Sequence, residues 1–270
     1  MLGAILGDIA GSWWEFESIK RKDFDLLSEF DEFTDDSVIT LAIANSFLEC
    51  KSDYSDLGDV AIKNMREFGR KYPNAGYAGM FFDWLFNQKD PKPYNSYGNG
   101  AAMRVSSCGI VAKSIEEAKL LSRKVTEVTH NHPEGLKGAE AVAVAIFLAK
   151  LGMSQLEIKE YINKNYYPMN FTLDGIRDAY RFDVSCQGSV PQAIMAFIEA
   201  KDFEDTLRNA VSLGGDSDTQ AAIAGSIAEY HFGIPEDLRN QAYKYLPDDL
   251  LQILKAFESR YEGKYGGNRV

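Results

Sequence analysis

The chain has 270 residues, with 40 acidic and 29 basic side chains, and its formal net charge is -11. Hydrophobic residues make up 45% of the chain and charged residues 26%, which excludes a fibrous or largely disordered protein. A chain of this length buries a large core without disulfide bonds. The acidic excess argues against general nucleic-acid binding, because a nucleic-acid partner needs Lys and Arg to neutralise its phosphates.

Apolar residues recur at three- to four-residue spacing along most of the chain, and alternating β-branched runs are nearly absent. This pattern predicts an all-α fold. We expect residues 88–99 to form a loop and residues 263–270 to form a mobile tail. Besides an N-terminal helix, the predicted helices are Val38–Leu48, Leu57–Tyr72, Ser114–Val128, Gly135–Leu151, Ser154–Asn165, Val190–Ala200, Phe203–Val211, Thr219–Phe232 and Leu246–Tyr261.

Three features of the chain bear on where the protein works. Cys50, Cys108 and Cys186 are far apart and form no CxxC pair, so we interpret them as buried thiols in a reducing compartment. The first fourteen residues lack a basic segment, and Asp8 interrupts their apolar run, which disfavours an export signal. No stretch approaches the ~18 apolar residues of a membrane span. We therefore expect a cytoplasmic monomer without a membrane partner.

The N-terminal helix carries two side-chain patterns. Glycines recur at every fourth position, at Gly3, Gly7 and Gly11. They leave one helix face bare and predict close packing against a neighbouring helix. Asp8, Ser12 and Glu15 follow at spacings of four and three residues on an adjacent flank. Glu15 therefore either reaches a pocket at the core of the bundle or is a solvated surface glutamate.

Oxygen-rich side chains cluster at two predicted helix starts. A helix N-cap needs only one Ser, Thr, Asp or Asn, so these clusters exceed the need for capping. Carboxylates and hydroxyls without His or Cys suit a hard cation such as Mg²⁺, Mn²⁺ or Ca²⁺. The residues alone leave metal binding and plain capping both open. The first cluster is Thr34, Asp35, Asp36 and Ser37, and the second is Asp216, Ser217, Asp218 and Thr219.

Two known motifs do not account for the second cluster. An EF-hand loop that begins at Asp216 needs Gly at its sixth position and Glu at its twelfth, where this chain has Ala221 and Ile227. A phosphatase-type DxDx[TV] segment needs Thr or Val at position 220, where Gln220 stands. The cluster therefore belongs to another kind of site or is a helix cap.

A glycine-rich turn, Gly98-Asn99-Gly100-Ala101, precedes a helical run. Two glycines before a helix can aim backbone N–H groups at a phosphate. The turn is not a Walker loop, because no Gly-Lys-Ser/Thr follows, and it is not a Rossmann fingerprint, because Met103 replaces the third glycine. A plain loop-to-helix turn is the alternative interpretation.

The segment that contains His130 and His132 lies between two predicted helices. The two imidazoles lie on the same side of an extended segment, which is one feature of a two-histidine metal site. No Cys or acidic residue stands beside them at ligand spacing, so we favour a structural histidine at a helix end.

Six segments, in this order, resemble the ADP-ribosylglycohydrolase family. They are GAILGDIAGSWWE, FTDDSVITLA, YGNGAAMR, THNHPEG, SVPQAIMAF and SLGGDSDTQAAIAG, and they run from residue 3 to about residue 235. The resemblance implies that residues 1–270 form a single domain, an orthogonal helical bundle with two Mg²⁺ ions, Mn²⁺ being the alternative. The metal ligands that it implies are Thr34, Asp35, Asp36, Asp216, Asp218 and Thr219.

The resemblance also implies a reaction and further roles. The reaction is hydrolysis of the bond between C1″ of the distal ribose of ADP-ribose and its acceptor, with Asp35 or Glu15 as catalytic acid or base. The acceptor belongs to an ADP-ribosylated protein, through an arginine or serine side chain, or is a small molecule or nucleobase. The alternatives are an inactive ADP-ribose-binding module and a hydrolase of another ribosyl or nucleotide compound. The implied substrate-binding residues are Gly98, Asn99, Gly100, Ala101 and His130, while Met103 and Arg104 have packing roles.

Overall fold

The computed structural model describes residues 1–262, and the predicted tail, 263–270, lies outside the described residues. The described part contains fourteen α-helices and no strand, which confirms the all-α prediction. The helices are α1 Leu2–Ser12, α2 Asp35–Glu49, α3 Leu57–Lys71, α4 Gly79–Phe86, α5 Ser106–Val111, α6 Ile115–Thr126, α7 Pro133–Lys150, α8 Gln155–Asn165, α9 Leu173–Arg177, α10 Cys186–Ile198, α11 Phe203–Val211, α12 Ser217–Phe232, α13 Glu236–Tyr245 and α14 Asp248–Phe257. Short 3₁₀ turns follow α1 and precede α5, and a π-helical turn follows α14.

Helix α12 lies at the centre of the bundle and packs against α1, α7, α10 and α11. Its side chains are buried on all sides from Ser217 to Glu229, because Ala and Ile recur around the whole helix rather than on one face. Helix α1 is similarly enclosed and is buried from Leu2 to Gly11. One continuous cluster of buried side chains joins α1 to helices from every part of the chain.

The glycines of α1 form the contact with α12. A Cβ atom at Gly7 would overlap the carbonyl oxygen of Ala221, and one at Gly11 would overlap the carbonyl oxygen of Ser217. The backbones of the two helices therefore approach closely, as the glycine spacing predicts. The same approach places the start of α12, with its two aspartates, beside the end of α1.

Replacing Gly7 by Ala is expected to lower the free energy of unfolding by about 2 kcal/mol. The added methyl group strains the α1–α12 contact by about 3 kcal/mol, and the better helix propensity of Ala returns about 1 kcal/mol. The matched control is Gly79→Ala at the start of α4, where a Cβ meets no atom within 4 Å. Urea titration of both variants measures the effect. Equal stabilities of the two variants would contradict the packing role of Gly7.

Three short helices, α4, α9 and α13, were missed by the sequence analysis, and α5 was expected only as a helical run without bounds after the glycine turn. They have between five and ten residues, which is too short for a clear apolar period. The predicted long helix at 246–261 ends in a π-helical turn from Glu258 to Glu262. Of the predicted loop, 88–99, residues 88–98 contain no helix, while Asn99 begins the short 3₁₀ turn Asn99–Ala101. Gly98 forms a single antiparallel bridge with Ser185.

None of the described helices combines the length and the apolar character that a membrane crossing requires.

Candidate active site

A cavity of about 1050 Å³ opens where the starts of α2 and α12 meet the end of α1. Its wall includes the glycine turn and His130, together with residues 71–76 and 78–81, which run from the end of α3 into α4. Most of the predicted site residues line this cavity, including both acidic helix starts and Glu15. Ala101 does not: it is fully buried and is absent from the cavity wall.

The start of α2 is held by a carboxylate from another helix. Asp8 is fully buried, and its Oδ1 accepts a hydrogen bond from the Thr34 hydroxyl at 2.6 Å. Its Oδ2 accepts from the backbone N–H of Thr34 at 2.9 Å and from that of Ser37 at 3.0 Å. The Ser37 hydroxyl also donates to this oxygen. Asp8 therefore satisfies donors at the α2 N-terminus that a local cap leaves open.

The two acidic helix starts are directly connected. The Thr219 hydroxyl donates to Asp36 Oδ2 at 3.0 Å, and Asn99 Nδ2 donates to Asp216 Oδ2 at 2.6 Å. The second bond also ties the glycine turn to α12. Segments that are far apart in the sequence thus build one polar base for the cavity.

Two overlapping groups of carboxylates stand at this base. In each group, one oxygen from every residue lies within 4.8 Å of the others. Asp218 belongs to both groups, and Asp36 Oδ1 is buried without a hydrogen-bond partner within residues 1–262. The first group is Asp8, Asp36 and Asp218, and the second is Glu15, Asp216 and Asp218.

This donor set fits divalent cations with oxygen ligands. Buried carboxylates repel one another unless a cation or protons intervene, and an unpartnered oxygen such as Asp36 Oδ1 is free to act as a ligand. Thr34 and Thr219 add hydroxyl oxygens at the same helix starts. The carboxylate of Asp35 belongs to neither group of three, although Asp35 lines the cavity. The individual ligand roles stay predictions.

Burial and mutual repulsion disfavour charge on these carboxylates when no cation is bound. Burial raises the pKa of Asp36 and of Asp218 well above the usual range, and neighbouring carboxylates raise both pKa values further. The pKa of Asp35 is raised in the same way, by burial and then by Asp218. Glu15 is half-buried, and burial followed by the charges of Asp218 and Asp8 raises its pKa to about 7. Glu15 can therefore hold or release a proton near neutral pH.

The glycine turn differs from the predicted row of free N–H groups. The N–H of Gly98 donates to Ser96 Oγ at 3.1 Å, and that of Asn99 donates to the Val184 carbonyl at 2.7 Å. The N–H of Ala101 donates to the Gly98 carbonyl at 3.1 Å. Because Gly98 and Gly100 carry no side chains, the turn lets a ligand approach its backbone closely. A Cβ atom at either glycine would stand 3.6 Å from His130 Nε2.

The two histidines of the 129–133 segment have different positions. His132 caps α7, because its Nδ1 accepts a hydrogen bond from the N–H of Glu134 at 3.1 Å. His130 is buried, with 5% of its surface exposed, and lines the cavity beside the glycine turn. Burial, and after it the charge of Arg104, lowers the pKa of His130 well below its usual value. His130 is therefore a neutral imidazole at physiological pH.

Exposed aromatic side chains surround the mouth of the cavity. Trp13 and Phe30 lie against each other with ring centroids 5.0 Å apart, and Phe16 is 82% exposed. All three line the cavity, as Glu15 does. The mouth thus offers apolar contact to whatever group projects from the cavity.

Sequence reasoning missed the anchoring roles of Asp8 and Asn99. Their hydrogen-bond partners lie 26 and 117 residues away in the chain, so no local spacing could identify them. The only local signal was the position of Asp8 one helical turn before Ser12, on the same flank as Glu15.

The ADP-ribosylglycohydrolase family model matches residues 1–266 of this chain. The chain belongs to this family. The ADP-ribosylhydrolase ARH3 of Homo sapiens is 26% identical over 93% of this chain and 90% of its own length. The ADP-ribosylarginine hydrolase Tri1 of Pseudomonas putida is 24% identical over 87% of this chain and 70% of its own. A solved structure described as an ADP-ribosylglycohydrolase-related protein complex is 22% identical, covers 95% of both chains and has a TM-score of 0.68, which supports the fold.

Family membership confirms the resemblance drawn from the six segments and makes this chain a glycohydrolase-type protein. The acidic side chains at the base of the cavity could hold a metal ion. The acceptor, the identity and number of the metal ions and the role of each side chain go beyond family membership.

Proposed function

We propose that this protein is a Mg²⁺-dependent hydrolase that releases ADP-ribose from an acceptor. The observation that carries the proposal is the pair of overlapping carboxylate groups at the base of a cavity whose wall also contains the glycine turn. An acidic pocket alone repels a diphosphate, so an anionic substrate requires bound cations there. Similarity to ARH3 and to the arginine hydrolase Tri1 supports ADP-ribose as the released group.

The proposed ligands of two Mg²⁺ ions, or of Mn²⁺, are those named from the resemblance. From the α2 side they are Thr34, Asp35 and Asp36, and from the α12 side Asp216, Asp218 and Thr219. Their fit is supported by the unpartnered Asp36 Oδ1 and by the bond from Thr219 to Asp36. When bound, such ions supply Lewis acidity to the ribose hydroxyls and to water.

The protein's own residues have three further tasks in this proposal. Asp8 holds the start of α2, so that Thr34 and Asp36 keep their positions. The turn at Gly98 and Gly100 lets the diphosphate approach the backbone, with His130 behind it. Glu15 stands beside Asp216 and Asp218 in the cavity, and we place the acceptor bond next to it. A raised pKa lets it transfer a proton to or from the reacting oxygen or nitrogen.

A substrate panel tests the proposal and identifies the acceptor. Purified protein is incubated with ADP-ribosylated arginine peptide, serine peptide and nucleic acid, each with Mg²⁺ and with EDTA, and free ADP-ribose is measured. We expect Mg²⁺-dependent release from one acceptor class. Tight binding of ADP-ribose without turnover of any substrate would instead favour an inactive binding module. Release that is equal in EDTA would contradict the metal-dependent mechanism.

Replacing Glu15 by Gln is expected to lower kcat about 100-fold with little change in KM. The amide keeps the size of the side chain but cannot transfer a proton, and such a loss is typical of general acid–base residues. Glu17→Gln is the matched control, because Glu17 lines the same opening but is exposed and belongs to neither carboxylate group. Steady-state kinetics on the preferred acceptor measures both. An equal loss in the two variants would show a general charge effect at the mouth.

A further inference from the structure

Arg104 is a buried cation at the wall of the cavity. Its side chain is 1% exposed, and no carboxylate within residues 1–262 forms an ion pair with it. Its guanidinium lies over the Phe81 ring, 5.7 Å from the centroid, and donates to the Thr129 hydroxyl at 2.5 Å. A buried charge is costly to maintain, so packing alone is a weak explanation for an arginine here.

Thr129 connects Arg104 to His130. Its hydroxyl oxygen, which accepts from Arg104, lies 2.7 Å from His130 Nδ1 and 3.3 Å from the carbonyl oxygen of Thr126. Arginine has only donors, so the hydroxyl proton must point to one of the other two neighbours. The shorter distance favours His130 Nδ1 as the acceptor.

A second contact favours the same arrangement. The Arg104 guanidinium nitrogen lies 3.5 Å from His130 Nδ1, and a donor at this position opposes a proton on Nδ1. A neutral imidazole with an unprotonated Nδ1 carries its single proton on Nε2. That nitrogen faces the turn, 3.6 Å from where a Cβ of Gly98 or Gly100 would stand.

We propose that Arg104 and Thr129 hold His130 in the Nε2–H tautomer, so that His130 donates a hydrogen bond to a ligand oxygen in front of the glycine turn. Arg104 and Thr129 are thus positioning residues, and His130 is the residue that contacts the ligand. The inference rests on the proposed binding of ADP-ribose. It replaces the packing role that the sequence analysis gave to Arg104.

Histidine NMR tests the tautomer in the free protein. With ¹⁵N-labelled histidine and a His130→Gln variant for assignment, long-range ¹H–¹⁵N correlation distinguishes a protonated from an unprotonated ring nitrogen. We expect a protonated Nε2 and an unprotonated Nδ1 for His130 at neutral pH. A protonated Nδ1 would overturn the inference, whatever the protein binds.

Three threonine variants test the connection. Thr129→Val removes the hydroxyl and is expected to raise the Kd for ADP-ribose about tenfold, the value of one lost hydrogen bond to an oriented group. It is also expected to shift the His130 ¹⁵N resonances. Thr129→Ser keeps the hydroxyl and is expected to restore both. Thr126→Val is the matched control: Thr126 is equally buried, lies one turn away, and its hydroxyl has no partner within residues 1–262.

The outcomes separate this inference from the proposed function. Calorimetry of ADP-ribose binding is run for the wild type and all three variants, with circular dichroism to confirm folding. Unchanged affinity and unchanged ¹⁵N shifts in Thr129→Val would overturn the connection through Thr129. If the wild-type protein fails to bind ADP-ribose, the proposed function is wrong, and the tautomer in the free protein still decides the present inference.

Discussion

Asp218→Asn is expected to lower kcat/KM for Mg²⁺-dependent release of ADP-ribose by at least ~10³-fold, or about 4 kcal/mol. Asp218 is the one carboxylate common to both acidic groups, so its loss weakens both candidate cation positions at once. The substitution is isosteric and keeps an acceptor for the Thr219 N–H, which lies 2.8 Å from Asp218 Oδ1. The folded structure should therefore survive.

The same substitution is expected to stabilise the metal-free protein. Burial and the charges of neighbouring acids raise the pKa of Asp218 well above the usual range, so keeping a carboxyl group at this position costs free energy of folding at neutral pH. Asn removes that cost. The variant should thus unfold at higher urea concentration in EDTA than the wild type, yet gain little from added Mg²⁺. Opposite changes in stability and activity are typical of residues kept for function.

Asp31→Asn is the matched control for Asp218→Asn. Asp31 is also a buried aspartate, and burial raises its pKa to about 6, but it does not line the cavity. We expect this variant to keep its activity and its stabilisation by Mg²⁺. Asp218→Asn activity within tenfold of wild type would contradict the assignment of Asp218 as a shared ligand. Equal losses in both variants would point to a nonspecific effect of removing buried acids.

The sequence supplied the two halves of the acidic site but not the way they are joined. Thr34, Asp35 and Asp36 stand at one helix start, and Asp216 and Asp218 at another, so local clustering was enough to single them out. That the two starts face each other depends on tertiary packing. The close α1–α12 contact brings them together, and its only sequence signal was the glycine spacing of α1.

The roles of residues that hold other side chains in position were the hardest to predict from the sequence. Asp8 has no catalytic role in the proposed mechanism, yet its carboxylate accepts four hydrogen bonds that hold the start of α2. Arg104 stands in a motif that suggested packing, and its contacts with Thr129 and His130 depend on the segment between α6 and α7 lying beside the cavity. Such roles depend on contacts between remote segments, which spacing along the chain does not record.

The metal-free protein is expected to lose folding free energy as the pH rises from about 4.5 to about 7.5. Burial raises the pKa of Asp8 and of Asp216 from 3.8 to about 6, and that of Glu15 from 4.5 to about 7. A raised pKa means that the folded state binds protons that the unfolded state has already released. Stability is therefore present at low pH and is lost as the pH rises through the folded-state values.

Asp35, Asp36 and Asp218 act in the same direction, because burial raises their pKa values well above the usual range. Glu15 contributes less than its shift suggests, because it is half-exposed and solvent screens its interactions. His130 opposes the trend: its lowered pKa means that the unfolded state binds the extra proton, so this residue adds stability as the pH rises towards its unfolded value of about 6.5. Asp31 follows the trend without belonging to the site, since burial raises its pKa to about 6.

Saturating Mg²⁺ isolates the contribution of the acidic site. Urea unfolding is measured from pH 4.5 to pH 7.5 in EDTA and in Mg²⁺, and the difference between the two curves is taken at each pH. Asp31 and His130 titrate in both conditions and cancel in this difference. Cations bind the carboxylates in their ionised form, so binding must displace the protons that these side chains hold. Displacement becomes easier as the pH rises, and the stabilisation by Mg²⁺ should therefore grow with pH. If the difference stays constant across this range, the buried carboxylates bind no cation. In Asp218→Asn we expect almost no increase of the difference with pH.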